Sequence, residues 1–442
     1  MKSVMKMIKS KNVSMFISYN IKKFIPFLSI LCCMLTAALP SQAQISDEDN
    51  EDNDSIETDS VWADSLAAPV DSLPWPQNVR ASLDRMLQND MFQTSQLGMM
   101  IYDLTADSAI YVHNERQLMR PASTMKVITA ITALDRLGGS YQFKTELCYT
   151  GRVDSCVLNG DVYCVGGFDP RFNSDDLRAL AESLHKMGID TIRGNLYADR
   201  SMKDDDKYGE GWCWDDDNPV LTPLLIGRKD QFMTRFYTEL RSLGIYITGG
   251  LGEKRKPQEA NCIVRRFHTF DQILMRMLKE SDNLYAEATM YQVAASSGNR
   301  PATAKDARNI IQQLVNKLGL DSKRYEFADG SGLSLYNYVS AELEVRMLKY
   351  AYQNGNIYNH LLPALPIAGQ DGTLRKRMTS SFTRGNVHAK TGTVEGISSL
   401  CGYLTAYNGH QICFSIINQG IMHTRNGRRF QDRVCSLLCS PQ

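Results

Sequence analysis

The 442-residue chain has only seven histidines, scattered, with no H-E-x-x-H pair and no cysteine–histidine cluster at ligand spacing, which leaves no basis for a zinc site. Among its 11 cysteines no C-x-x-C occurs, so a dithiol redox motif is absent. Internal repeats are lacking. The longest apolar run, Phe24 to Leu39, is short for a membrane span and contains Pro26. Neither sign of charge is in excess, at 49 basic and 49 acidic residues, and nothing in that balance favours nucleic acid. What is present is a chain 43% apolar and 22% charged, enough for two or three packed domains.

The neutral balance comes from the first 43 residues, which hold six lysines and no acid. Lys22-Lys23 precede the apolar run and Ser41-Gln42-Ala43 supplies small residues after it, so residues 1–43 read as a secretory signal. An uncleaved anchor is the other reading of this segment. Without the leader, 43 basic residues face 49 acidic ones. Ten of those acids, with no base, fall between residues 46 and 72, and 44–74 is expected to be a solvated acidic linker. Nine cysteines remain beyond the leader, an odd number that cannot all pair within one chain. Export would permit disulfides, but the low density favours small buried side chains for most of them.

Folded sequence is expected from about Trp75. Residues Val79 to Leu87 have helical spacing, and Leu97–Leu104 with Ile110–Val112 read as a strand pair. Beyond Arg120-Pro121-Ala122-Ser123, the residues Val127, Ile128, Ala130, Ile131, Leu134 and Leu137 predict a buried helix that Gly138-Gly139 ends. Short β-like runs then occupy 148–264, an inserted domain. Its Asp204-x-Asp206-x-Tyr208-Gly209 run fails as a calcium loop, because Tyr208 stands where an oxygen ligand is needed and Asp215 where a bidentate Glu belongs. Helical periods return over Phe270–Ala295, Asp306–Leu318 and Ala341–Tyr352. The end alternates like paired strands, Val387–Thr393, Ile397–Ala406 and Gln411–Ile417, before a closing helix over Arg428–Leu438. Late, adjacent strands mixed with helices imply an antiparallel sheet packed by helices.

Three short motifs fall at informative places in this pattern: Ser123-Thr124-Met125-Lys126, Ser281-Asp282-Asn283 and Lys390-Thr391-Gly392. Ser-x-x-Lys also occurs at Ser3 and Ser183, and Ser-x-Asn at Ser10, Ser18 and Ser297, so the patterns alone decide nothing. Context does. Ser123 opens a helix whose N-terminal N–H groups favour developing negative charge, and Lys126 lies on the same face. A neutral amine there could take the serine proton, and desolvation with a second cation such as Lys390 would lower its pKa. Ser281 and Asn283 project from helical sequence and can relay a proton and hold an amide. Lys390 shares a strand face with Gly392, where a missing side chain lets a substrate backbone approach, and the charge and hydroxyls of Lys390, Thr391 and Thr393 suit a carboxylate.

In this order and setting the motifs resemble those of the penicillin-recognising serine hydrolases, and within them the low-molecular-mass class C penicillin-binding proteins of the D-alanyl-D-alanine carboxypeptidase/endopeptidase kind. Further runs are similar to that family: Gly166-Gly167-Phe168-Asp169-Pro170, Gly194 to Asp199, Gly211 to Asp216, Asp329 to Ser334 and Leu365 to Leu374. The resemblance covers about residues 75–442. It implies an α+β fold of the penicillin-binding-protein/β-lactamase-like transpeptidase type, an antiparallel sheet flanked by helices with a helical subdomain, split as 75–147 and 265–442 around a β-rich insertion at 148–264. It further implies Ser123 as nucleophile, Lys126 as base, Ser281 and Asn283 in proton relay and positioning, and Lys390, Thr391, Gly392 and Thr393 at the substrate carboxylate, with no cofactor or metal. The N–H groups of Ser123 and Thr393 would form the oxyanion hole. The implied partners are peptidoglycan peptides ending in D-Ala-D-Ala, and β-lactams as covalent inhibitors. The implied location is the periplasm or the outer face of the cytoplasmic membrane, with at most peripheral membrane contact. Two departures stand out: the segment between Lys126 and Ser281 is short, and Leu224 to Asp230 lacks the asparagine-rich run expected there. The alternatives are a β-lactamase and a non-catalytic wall-binding protein.

Overall fold

The computed structural model describes residues 73–213 and 218–441. The expected leader, nearly all of the acidic linker and the second acidic cluster, Asp215 to Asp217, lie outside the described residues. A five-stranded antiparallel sheet runs in the order His388–Val394, Ile397–Thr405, Gln411–Gln419, Gln96–Asp103, Ser108–His113. The last three long strands of the chain therefore meet the first two, in unbroken register from Gln96 opposite Gln419 to Asp103 opposite Ile412. Both faces are covered. Helices Gln77–Met86 and Thr424–Cys439 bury one face, through Val79, Leu83, Phe430, Val434 and Leu438 against Leu400, Phe414 and Ile416.

The other face carries the larger core, built round Met125–Leu137 and Asn283–Ala295. The first is buried at every position from Met125 to Leu134. It begins after a single 3₁₀ turn, Ala122–Thr124, and ends where Gly138 takes a φ of 80°, a conformation that glycine adopts without a Cβ clash. Asn283–Ala295 is buried from Leu284 to Ala294, as an apolar-all-round helix must be. The helical stretch predicted over Phe270–Ala295 is in fact two helices, Phe270–Lys279 and Asn283–Ala295. The break falls at Ser281, whose φ of 56° is left-handed, and Asp282 starts the second helix by accepting the Leu284 N–H at 3.1 Å.

The stretch expected to be β-rich has its own core and two helices, Ser174–Lys186 and Phe232–Ser242. Its main sheet runs Leu251–Glu253, Leu196–Asp199, Val162–Val165, Gln142–Tyr149, Asn261–Thr269, and the first three of these strands are parallel, joined through crossovers that the helices supply. The last two are the strands by which the chain enters and leaves this part, and Cys148 and Cys262, directly opposed on them, form a disulfide. Of the remaining described cysteines, Cys164, Cys401, Cys413, Cys435 and Cys439 are buried while Cys156 and Cys213 are exposed. No helix among the described residues is long and apolar enough to cross a membrane.

Candidate active site

All three motifs come together at the end of the five-stranded sheet. The 3₁₀ turn holding Ser123 rests on His388–Val394 because Gly392 has no side chain: a Cβ there would stand 2.8 Å from the Pro121 carbonyl and 3.0 Å from the Ser123 N. The close approach that requires Gly392 is made by the protein's own Ser123 turn, where the sequence suggested a substrate backbone. Gly332, with a φ of 80°, fits against the same turn from the opposite side, where a Cβ would overlap the Ala122 carbonyl.

Lys126 is fully buried, and its Nζ lies 2.9 Å from Ser123 Oγ, 2.7 Å from Asn283 Oδ1 and 2.8 Å from the Ser331 carbonyl. None of these partners is charged. Burial, and secondarily the neighbouring Lys390 ammonium, push the Lys126 amine down to about 7, while Asp329, Glu287 and Asp282 pull the other way. Lys390 is also buried; its Nζ donates to Ser281 Oγ at 2.9 Å and to the Thr391 carbonyl at 2.8 Å. Thr391 is buried and donates to Thr373 Oγ1 at 2.7 Å, whereas Thr393 two residues on is only half-buried. Ser123, Ser281 and Asn283 are likewise half-buried, so a rim of Ser123, Ser281, Asn283 and Thr393 opens outward above two buried lysines.

Over residues 79–224 and 228–439 the chain matches the D-Ala-D-Ala carboxypeptidase 3 (S13) family. It belongs to that family. It is 26% identical over 428 residues to the D-alanyl-D-alanine carboxypeptidase DacB of Haemophilus influenzae, covering 78% of this chain and 88% of that one. The crystal structure of penicillin binding protein 4 (dacB) from the same organism has a TM-score of 0.75 at 24% identity, over 80% of this chain and 99% of the other. Its complex with a β-lactam gives 0.68 at the same identity, over 80% and 100%. The fold is therefore the α+β fold of the penicillin-binding proteins, and the chain is a peptidase of the D-Ala-D-Ala carboxypeptidase class, a hydrolase.

Within this S13 chain the loop Asp329 to Ser334 does more than turn. Asp329 accepts from Trp212 Nε1, Ser331 Oγ, Gly332 N, Ser334 N and Asn337 Nδ2 at 2.7 to 2.9 Å, which fixes the Ser331 carbonyl against Lys126. Arg228, from the run that departs from the family pattern, donates to Asp282 Oδ2 at 2.7 Å, and Arg276 joins it at 2.9 Å. The two matched stretches part at 225–227, at the start of the turn that presents Arg228. Sequence reasoning missed Arg228 and two buried acids. Glu287 accepts the Gly330 N–H at 3.0 Å, and burial pushes it up to about 8. Glu344 accepts from Ser415 Oγ at 2.6 Å under the sheet, and burial pushes it up to about 7. Glu287 follows Asn283 by one helical turn, a spacing that could have marked it.

The acidic run read against a calcium template encloses a lysine instead. Lys203 Nζ donates to the carbonyls of Asp204 and Asp206 at 2.7 and 2.6 Å, meets Asp204 Oδ1 at 2.9 Å and lies 4.6 Å from the Tyr291 ring centroid.

Proposed function

We propose that the chain cleaves D-Ala-D-Ala-type bonds in peptidoglycan stem peptides through an acyl-enzyme on Ser123, as a carboxypeptidase, a D,D-endopeptidase or both. The observation that carries this is the set of partners around Lys126. A neutral amine has two hydrogens and one lone pair. With Asn283 Oδ1 and the Ser331 carbonyl able only to accept, both hydrogens are used there and the lone pair faces the Ser123 hydroxyl. That amine takes the serine proton as Oγ attacks the peptide carbonyl. The Ser123 and Thr393 N–H groups receive the oxyanion. Ser281, held by Lys390, returns a proton to the leaving amine, while Asn283 holds the substrate amide. Thr393 and the Lys390 charge meet the terminal carboxylate, with Thr391 and Gly392 setting that strand through Thr373 and the Ser123 turn. Water then releases the acyl group.

The Cys148–Cys262 disulfide supports an exported protein acting in the periplasm or at the outer face of the cytoplasmic membrane, as the leader-like segment suggests. The separate core of the inserted part supports a domain division near the strand pair Gln142–Tyr149 and Asn261–Thr269.

The test is incubation of the purified protein with a labelled penicillin, followed by mapping of the adduct. The label is expected on Ser123 and lost in Ser123→Ala; equal labelling of that variant sinks the assignment. A muropeptide ending in D-Ala-D-Ala and a cross-linked dimer, offered side by side, separate the two peptidase modes.

A further inference from the structure

Glu287 is 2% exposed, sits one helical turn after Asn283, and has no part in the chemistry above. Its Oε1 accepts the Gly330 N–H at 3.0 Å. The next residue's carbonyl, that of Ser331, receives Lys126 Nζ at 2.8 Å, while the Gly330 carbonyl is taken by Thr129 Oγ1 at 2.7 Å, one turn along the helix that carries Lys126. Glu287 and Lys126 therefore grip two ends of one dipeptide. On its far side Glu287 faces a cavity of about 460 Å³, lined also by Tyr208, Tyr291, Lys207 and Arg308. None of Ser123, Lys126, Ser281 or Lys390 lines this cavity. The carboxyl thus lies between the dipeptide that receives Lys126 and this cavity.

We propose that Glu287 is a positioning and charge-compensating residue for Lys126, fixing the peptide that receives the lysine and exchanging its own proton through the rear cavity. This rests on the reading of Lys126 as the base. When the Ser123 hydroxyl proton moves to Lys126 Nζ, a buried ammonium forms. If Glu287 passes its carboxyl proton to water in the cavity at the same stage, the Lys126–Glu287 pair goes from two neutral groups to one cation and one anion, while the negative charge left by the serine proton sits on the oxyanion held by the Ser123 and Thr393 N–H groups. The proton returns to Glu287 from that water once Lys126 has given its own up toward the leaving amine. The groups facing Lys126 are Lys390, Asp329, Glu287 and Asp282; those facing Glu287 are Asp329, Lys126 and Tyr291 and, around the cavity, Asp206, Lys207, Tyr208 and Arg308 in its ion pair with Glu210. Lys126 and Glu287 each favour the charged state of the other, so they titrate as a pair.

The experiment is the rate of acylation by a labelled penicillin as a function of pH, for the wild-type protein, Glu287→Gln and Ser123→Ala. Coupling spreads the wild-type acid limb over a wider range than one proton gives. In Glu287→Gln, whose amide oxygen still accepts the Gly330 N–H, the limb is expected to sharpen to one proton, with its midpoint about half a pH unit lower. A merely structural role moves the melting temperature and leaves the limb's shape alone. A one-proton limb in the wild type, or an unmoved limb in Glu287→Gln, overturns the proposal while a silent Ser123→Ala keeps the reading beneath it. Labelling of Ser123→Ala overturns both. If Glu287→Gln does not fold, the width of the wild-type limb decides.

Discussion

Two fully desolvated lysines lie against one stripe of the Asn283–Ala295 helix, and their surroundings are opposite in kind. Lys126 meets a hydroxyl, an amide oxygen and a carbonyl, with another ammonium nearby. Lys203, two turns along at Tyr291, meets two carbonyls, a carboxylate and a ring face. Burial alone does not make a base. Neutral acceptors leave the desolvation of the Lys126 ammonium uncompensated and its amine is pushed down to about 7, whereas Lys203 has a carboxylate and the negative face of a ring as partners.

The contrast predicts opposite outcomes for one substitution made at both places. Lys126→Met is expected to slow penicillin acylation by about 10²- to 10⁴-fold, the range for a lost general base, without loss of stability. Its folded-state pKa lies below the unfolded 10.5, so the buried amine destabilises the fold fully below about 7 and ceases to do so above 10.5. The methionine variant should therefore gain most stability at pH 6 and little at pH 10.5, as read by urea unfolding at the two values. Lys203→Met should instead lower stability by about 2 kcal/mol, since Asp204 and two carbonyls lose their donor, with acylation following only as far as the fold suffers. Equal stability losses in the two variants would erase the distinction.

A second measurement sharpens the role of the neighbouring cation. Acylation should rise with pH through about 7, as Lys126 becomes neutral. Lys390→Met removes a charge that holds that value down, so the acid limb should move to higher pH by about one unit, whatever happens to its plateau. A limb that stays in place would leave desolvation as the whole cause.

Much of this site is legible in the sequence because it rests on local periods. The helix after Ser123, its stop at Gly138 and the strand carrying Lys390 follow from spacing and turn residues. So does the pairing of Ile397–Thr405 with Gln411–Gln419 across Asn408-Gly409. What escapes depends on partners far along the chain. Glu287 reads as a polar residue on an apolar helix until Gly330 is placed beside it, and Gly392 reads as an opening for substrate until Pro121 and Ser123 fill the space. The inserted part hid its parallel pairs and the helix Phe232–Ser242, since two- to four-residue strands carry little pattern and the helix shows only Phe232, Phe236 and Leu240 as buried marks. Cysteine counting gave no pairing either; the opposed register of Gln142–Tyr149 and Asn261–Thr269 does.

The smallest effect is expected where the inserted part reaches the motifs. Ile226 and Lys229 exchange backbone hydrogen bonds across a two-residue turn in which Gly227 and Arg228 both have positive φ, 55° and 65°. For arginine that conformation is unfavourable, and the turn holds it with the guanidinium on Asp282. Asp282 in turn caps the motif helix and separates Ser281 from Asn283. Arg276 grips the same carboxylate oxygen, and the Arg228 side chain is 34% exposed, so Arg228→Ala should cost only about 1 kcal/mol, or about fivefold in acylation rate. The loss should be of plateau height with the acid limb unmoved, because the lysines keep their neighbours. If Arg228→Ala shifts the limb as Lys390→Met does, the inserted part acts on the charge of Lys126 and not merely on the placement of Ser281 and Asn283.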